Sequence, residues 1–102
     1  MDDANRVEIS GRLHALGALR YTPAGIPVVE FRLSHESERA EAGVLRKVNA
    51  EIDAIAFESL ARLVAGAALN SGIRIEGFLA AKSRNSNKPV LHATRIEFIE
   101  GV

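Results

Sequence analysis

Apolar and polar residues alternate along most of this chain, and the places where alternation stops divide it into elements. From Arg6 to Tyr21, Val7 and Ile9 alternate with Arg6, Glu8 and Ser10, which predicts a long strand. Gly11 and Gly17 interrupt it, and glycine inside a strand marks a bulge or a bend. The segment TPAGIP, Thr22–Pro27, predicts a turn, because Pro23 fixes φ and Gly25 admits positive φ. In the next strand Val29, Phe31 and Leu33 face one way, and Glu30, Arg32 and Ser34 the other. The polar run Glu36–Gly43 predicts a loop. Alternation returns over Val44–Ile55, with Val48, Ala50 and Ile52 opposed to Lys47, Asn49, Glu51 and Asp53.

The period then changes. Phe57, Leu60, Ala61, Val64 and Ala68 form one apolar stripe at helical spacing, and Asn70-Ser71-Gly72 supplies a stop. Alternation resumes with Ile73 and Ile75 against Arg74 and Glu76. A loop, AKSRNSNKP, separates that strand from a closing strand, VLHATRIEFI. The order is strand, strand, strand, helix, strand, strand. It predicts an all-β OB-fold: a five-stranded Greek-key barrel with one helix between the third and fourth strands, spanning residues 1–102 as a single domain. A long first strand that bends in mid-course suits barrel closure. An open α+β sheet with one helix is the alternative architecture.

Composition narrows the function. No apolar run reaches the roughly 20 residues of a membrane helix, and the acidic start Met1-Asp2-Asp3 is unlike a signal peptide, so a cytoplasmic protein away from membranes is expected. The absence of cysteine excludes disulfides and cysteine-based metal sites. Formal net charge is zero, from 13 basic and 13 acidic residues, although nucleic-acid binders usually carry a basic excess. Phosphates respond to charge within about 8–10 Å, so distribution matters more than the total. Acids crowd at Glu36, Glu38 and Glu41, whereas Lys82, Arg84 and Lys88 lie in a stretch without acids between Glu76 and Glu97.

Catalytic chemistry finds no support. There is no Gly-rich phosphate loop, no nucleophile elbow around Ser10 or Ser34, and no paired carboxylate motif. His14, His35 and His92 fall on separate strands and read as surface residues, not a metal site. No enzyme, no metal and no cofactor are expected. The basic loop is more informative. Its cations alternate with Ser83, Asn85, Ser86 and Asn87, a pattern able to follow a phosphate backbone, and it joins the last two strands, where OB-folds hold oligonucleotides. The same residues also suit an ordinary soluble hairpin. Arg32 and Lys47, pointing outward, strengthen the first reading. Aromatics are few. Tyr21 is free to stack, Phe31, Phe57 and Phe78 read as core by spacing, and Phe98 is undecided.

Over nearly the whole chain, NRVEISG, TPAGIPVVEFRLSHES, EAG, EGFLA and VLHATRIEFI resemble the primosomal replication protein N (PriB) family. The resemblance implies an OB-fold homodimer that binds single-stranded DNA without sequence preference during replication restart. It implies as partners the primosomal helicase, the helicase-loading accessory protein and a single-stranded DNA-binding protein. Arg20 falls where the family has a basic DNA-contacting residue, and Lys82, Arg84 and Lys88 fall in its basic loop. Asn49 falls where some members place a Trp, and Glu36 where some have an Arg. The candidate nucleic-acid site is therefore Arg20, Arg32, Lys47, Asn49, Lys82, Arg84 and Lys88. Two other functions fit the same residues: a protein-interaction adaptor with little DNA affinity, and an RNA-binding OB module.

Overall fold

The computed structural model describes residues 3–99. Its elements are β1 (Val7–Leu16), β2 (Arg20–Tyr21), β3 (Pro27–Glu41), β4 (Val44–Phe57), α1 (Glu58–Ala65), β5 (Gly72–Ser83) and β6 (Ser86–Phe98). The strand order is β1-β5-β6-β4-β3-β2, and a further β1–β3 pairing closes five strands into a barrel. This is the OB-fold, with its helix between β4 and β5 because the expected long first strand is split in two. Gly17–Leu19 separates β1 from β2, and Gly17 N–H donates to the Glu30 carbonyl at 2.8 Å. Among the described residues, no helix is long and apolar enough to cross a membrane.

Closure depends on β1 changing partners. Val7–Arg12 pairs with β5, and Arg12–Leu16 pairs with β3, with a register shift between Leu13 and Ala15. Gly11 sits at this changeover. A Cβ there would overlap the Ser34 carbonyl oxygen, so only glycine permits the approach. Gly77 makes the same accommodation on the neighbouring β5, beside the His92 carbonyl and next to a register shift in the β5–β6 ladder. Inward residues from every wall fill the core: Leu13, Val29, Phe31, Leu33, Ala54, Ala56, Ile73, Ile75 and Leu91. Ala61 and Val64 of α1, both fully buried, join them.

Two expected loops are hairpins. Glu36–Gly43 was expected to be a loop, but β3 runs through to Glu41 and pairs with β4 from Glu36↔Asn49 to Glu41↔Val44. Ala42 (φ 52°) and Gly43 (φ 78°) reverse the chain, and positive φ at both central residues is the geometry of the tightest hairpin turns. The arm projects past the core with both faces wet, so its composition resembles that of a loop. Cross-strand charge holds it, through Glu38 opposite Lys47 and an ion pair between Glu41 and Arg46. AKSRNSNKP is likewise a hairpin, with Ser83 opposite Ser86 and only Arg84-Asn85 in the turn.

The helix is shorter than its apolar stripe. Gly66 caps it, with N–H contacts back to the Arg62 and Val64 carbonyls, and Ala67 N–H bonds Val64 in a tightened last turn. Phe57 and Ala68 therefore lie outside it. The expected turn at Thr22–Pro27 is present: Thr22 N–H donates to Ile26, Gly25 N–H donates to Thr22, and Gly25 has φ 82°.

Gly77→Ala forces a methyl group into the β6 backbone, where no flexible side chain can yield. The expected cost is at the upper end of the ~1–3 kcal/mol for overpacking. Thermal melting should show a fall of roughly 10–20 °C for a domain of this size. A melting temperature within about 2 °C of the parent would show that the β5–β6 crossing does not need glycine.

Candidate nucleic-acid interface

With the inward positions assigned to the core, the alternate residues of β3, β4, β5 and β6 make one outer face. Arg32 and Asp53 are cross-strand partners there, as are Ala80 and Val90, and Phe78 and His92. A groove of about 440 Å³ opens on this face. Leu16, Gly17, Glu30, Arg32, Asp53, Lys82 and Val90 line it, with the buried Phe31 and Ala54 beneath its base.

Asp53 is the electrostatic centre of the groove. Its carboxylate accepts from Arg32 Nε at 2.9 Å and meets Lys88 Nζ at 2.8 Å. Lys88 first and then Arg32 hold the carboxyl below the ordinary aspartate range, against a smaller upward push from desolvation. Arg32 also approaches Glu51 at 3.8 Å, and Glu51 approaches His14 at 3.9 Å. Arg20 lies 3.4 Å from Glu30 at the groove edge. The local charge is thus nearly balanced, as the total charge is, but in a particular pattern. Both carboxylates that line the groove are already paired, Glu30 with Arg20 and Asp53 with Arg32 and Lys88.

The seven candidate residues divide into three groups. Arg20, Arg32, Lys82 and Lys88 come together around the groove. Lys47 and Asn49 share the parity of Asp53 on β4 but lie farther out, on the hairpin arm, where they line a separate hollow with Glu36 and Glu38. Arg84 stands in the β5–β6 turn. The two departures from the family pattern prove to be a single feature. Glu36 and Asn49, the positions where the resemblance implies an Arg and a Trp in some members, are direct cross-strand partners.

Sequence spacing placed Phe57 and Phe78 in the core, and the structure corrects this. They are 38% and 40% exposed, whereas Phe31 is buried as expected. Both rings stack on His92, Phe78 with centroids 5.1 Å apart and Phe57 with centroids 6.3 Å apart. Phe57 belongs to β4, not to the helix stripe, and shares the outer parity of Asp53 and Ile55. Phe78 shares parity with Arg74 and Glu76, a signal that its apolar character overrode. Asp53 was also missed as a partner, because alternation gives its direction but not the cations opposite. Tyr21 and Phe98 are 55% and 41% exposed.

The histidines stay apart. His35 Nδ1 donates to the Ser10 carbonyl at 2.6 Å, and its Nε2 lies 2.8 Å from Ser37 Oγ. Among the described residues, no group of three or more His, Cys, Asp or Glu is arranged to hold a metal ion.

Residues 5–95 match a family described as another single-strand binding protein family. The replication restart protein PriB of Nitrosomonas europaea is 45% identical over 94 residues, covering 90% of this chain and 87% of that protein. Its counterpart in Bordetella pertussis is 42% identical over 97 residues, covering 95% and 91%. The PriB structure from Ralstonia solanacearum superposes with a TM-score of 0.84 at 30% identity, covering 95% of this chain and all of that one. The single-stranded DNA binding protein of Thermus aquaticus shares the fold, with a TM-score of 0.77 at 24% identity over about half of its own length. Barrel, helix position and sequence agree: the chain belongs to the PriB family of single-strand binding OB-fold proteins.

Proposed function

We infer that this protein is a single-stranded DNA-binding accessory of bacterial replication restart, cytoplasmic and non-catalytic, that links the primosomal helicase to the factors that load the next one. The observation that carries the reading is the convergence of Arg20, Arg32, Lys82 and Lys88 on one groove of an OB barrel. The names of the relatives support the same role. Phosphate contacts position a strand without reading its bases, so this groove suits binding without sequence preference. The adaptor reading draws on one specific feature, the Glu36–Asn49 pair, which puts an acid and an amide, not a cation and a stacking ring, opposite each other on the arm. Titration of labelled oligothymidylate at two salt concentrations separates the two readings. Replacing Lys82, Arg84 and Lys88 with Ala should lower the log–log salt slope by about 2, at roughly 0.7 per phosphate contact. An unchanged slope, or a parent protein without measurable DNA affinity, favours the adaptor.

Asp53 sets the affinity of the groove in this reading. A phosphate must displace its carboxylate from Lys88 and Arg32. Asp53→Asn removes the competing charge and leaves both cations free. Exposed ion pairs are worth up to about 1 kcal/mol, so the variant should bind single-stranded DNA roughly two- to fivefold more tightly at low salt. Mild acid should not imitate it. A carboxyl held below its ordinary range stays ionised until pH falls through that lowered value, so the pairing persists on acidification from pH 7 to about pH 5. Weaker binding by Asp53→Asn would show that Asp53 orders the cations instead of restraining them.

Assembly follows from the other end of β1. Val7–Gly11 pairs with β5 on one edge, while the β3 ladder begins only at Arg12. Among the described residues, no strand pairs the second edge there, although His35 satisfies the Ser10 carbonyl. Val7 and Ile9 pack against the core and stiffen the segment. A second copy laid antiparallel along this edge makes a two-fold dimer and removes an exposed strand edge. Sedimentation at micromolar concentration should give twice the 11.0 kDa of one chain, and a single species at 11.0 kDa rules out this pairing.

A further inference from the structure

The apolar inner face of the barrel reaches the surface at the end where α1 stops. Phe98 lies opposite Ile73 in the β5–β6 ladder and two residues beyond Ile96, which packs on the core. It has the parity of the inner face, yet it is 41% exposed where Ile73 is fully buried. The helix ends at Ala65, and a groove of about 580 Å³ opens beyond it, larger than the cationic groove. Leu63, Gly66, Ala67, Phe98 and Ile99 give it an apolar floor, and Leu63 is 44% exposed. Its rim is basic. Arg62 lines the groove, is exposed, and makes no ion pair among the described residues. Arg12 donates to the Asn70 carbonyl at 3.1 Å, beside Ser71 of the groove, and it too makes no ion pair among the described residues. Glu97, next to Phe98, is engaged by Arg74 at 2.7 Å. No acid among the described residues lines the groove. The cationic groove is distant: Gly72 and Lys82 are ten residues apart on β5, as are Phe98 and Lys88 on β6, which is roughly 30 Å of strand.

We propose that this groove docks an acidic segment of a partner protein, with a large apolar side chain of that segment seated between Leu63 and Phe98 and its carboxylates facing Arg62 and Arg12. The proposal stands apart from the single-strand reading, because it uses the opposite ends of β5 and β6. Charge complementarity selects the occupant. A guanidinium without a carboxylate partner takes one in fork geometry, and an apolar hollow rimmed by charge is the form of a protein contact. A phosphate backbone has no apolar group to lay on this floor. A second copy of the same surface, placed across a two-fold axis, brings a basic rim to a basic rim, and like charges oppose that pairing. An acidic segment with an apolar anchor satisfies floor and rim together. A partner held here leaves the cationic groove open, so this protein can hold a strand and a partner at once.

The test measures fluorescence anisotropy of a labelled aspartate-rich peptide that carries one phenylalanine and one leucine. Two control peptides replace its aspartates with lysine, or its two apolar residues with serine. The parent protein should bind the first peptide and neither control. Arg62→Glu, a surface change on a solvated side of α1, should weaken binding by about fivefold or more. Leu63→Ser should weaken it roughly tenfold. Both variants should keep the parent's affinity for oligothymidylate. NMR of the parent supplies a readout independent of mutant folding: the amides of Gly66, Ala67, Ser71 and Gly72 should shift with the peptide, and those of Arg32 and Lys82 should not. Failure of the peptide to bind, equal binding of either control, or unchanged affinity in both variants overturns the proposal. So do shifts confined to the cationic groove, which make the peptide a mimic of phosphate. A Leu63→Ser protein that sediments as a smaller species than the parent also overturns it, since the patch is then a contact between copies of this chain. A parent that binds the peptide but not oligothymidylate overturns the single-strand reading and leaves this proposal standing.

Discussion

The changeover of β1 from β5 to β3 is the constraint on which the structure depends. One strand must serve two neighbours, and it does so within a single residue, Arg12, which pairs with Gly72 on one side and Ser34 on the other. The strand must turn sharply there, and the facing backbone must come close, so Gly11 has no room for a side chain. Once β1 is shared, the barrel closes, inside and outside become fixed for every strand, and apolar alternation acquires a direction. The helix then covers an end of the barrel with Ala61 and Val64, small enough to sit against the packed interior.

The outer face follows from that closure, and so does its charge pattern. A chain of zero net charge is an unpromising nucleic-acid binder by composition. Folding does not separate its cations from its acids. It interleaves them, so that Arg20 meets Glu30 while Arg32 and Lys88 share Asp53. Such pairs at a partly wet surface contribute little to stability. Their effect is on position: they hold long, flexible side chains over the groove, which reduces the entropy a ligand must remove to engage them. The same carboxylates compete with phosphate. Preorganisation and competition come from the same atoms.

Much of this architecture was legible in the sequence because alternation reports on residues that are wet on one side and dry on the other. Val29, Phe31 and Leu33, or Ile73 and Ile75, announce their strands for that reason. The hairpin arm was not legible. Residues such as Glu38, Arg39, Arg46 and Lys47 are wet on both sides, so no burial pattern separates this part of a strand from a loop. The β5–β6 hairpin was misread for the same reason. Phe57 and Phe78 fail differently. Their parity pointed outward, and only the general preference of phenyl rings for the interior pointed inward. The pairing among acids and bases was illegible in principle, since Asp53 and Lys88 are brought together by a contact between strands distant in sequence.

That contact is the parallel pairing of β4 with β6, confined to Ala54↔Leu91 and Ile55↔His92. It is the smallest ladder of the barrel wall, yet both halves of the outer face hang on it. On one side of it Asp53 reaches Lys88, and on the other Phe57 reaches His92. If the two strands parted there, the ion pair and the aromatic row would separate together. The anionic hub that arranges the cations and the rings that stand beyond them are therefore not independent features of the surface. They are consequences of one backbone contact, which exists only because β1 closes the barrel on the opposite wall.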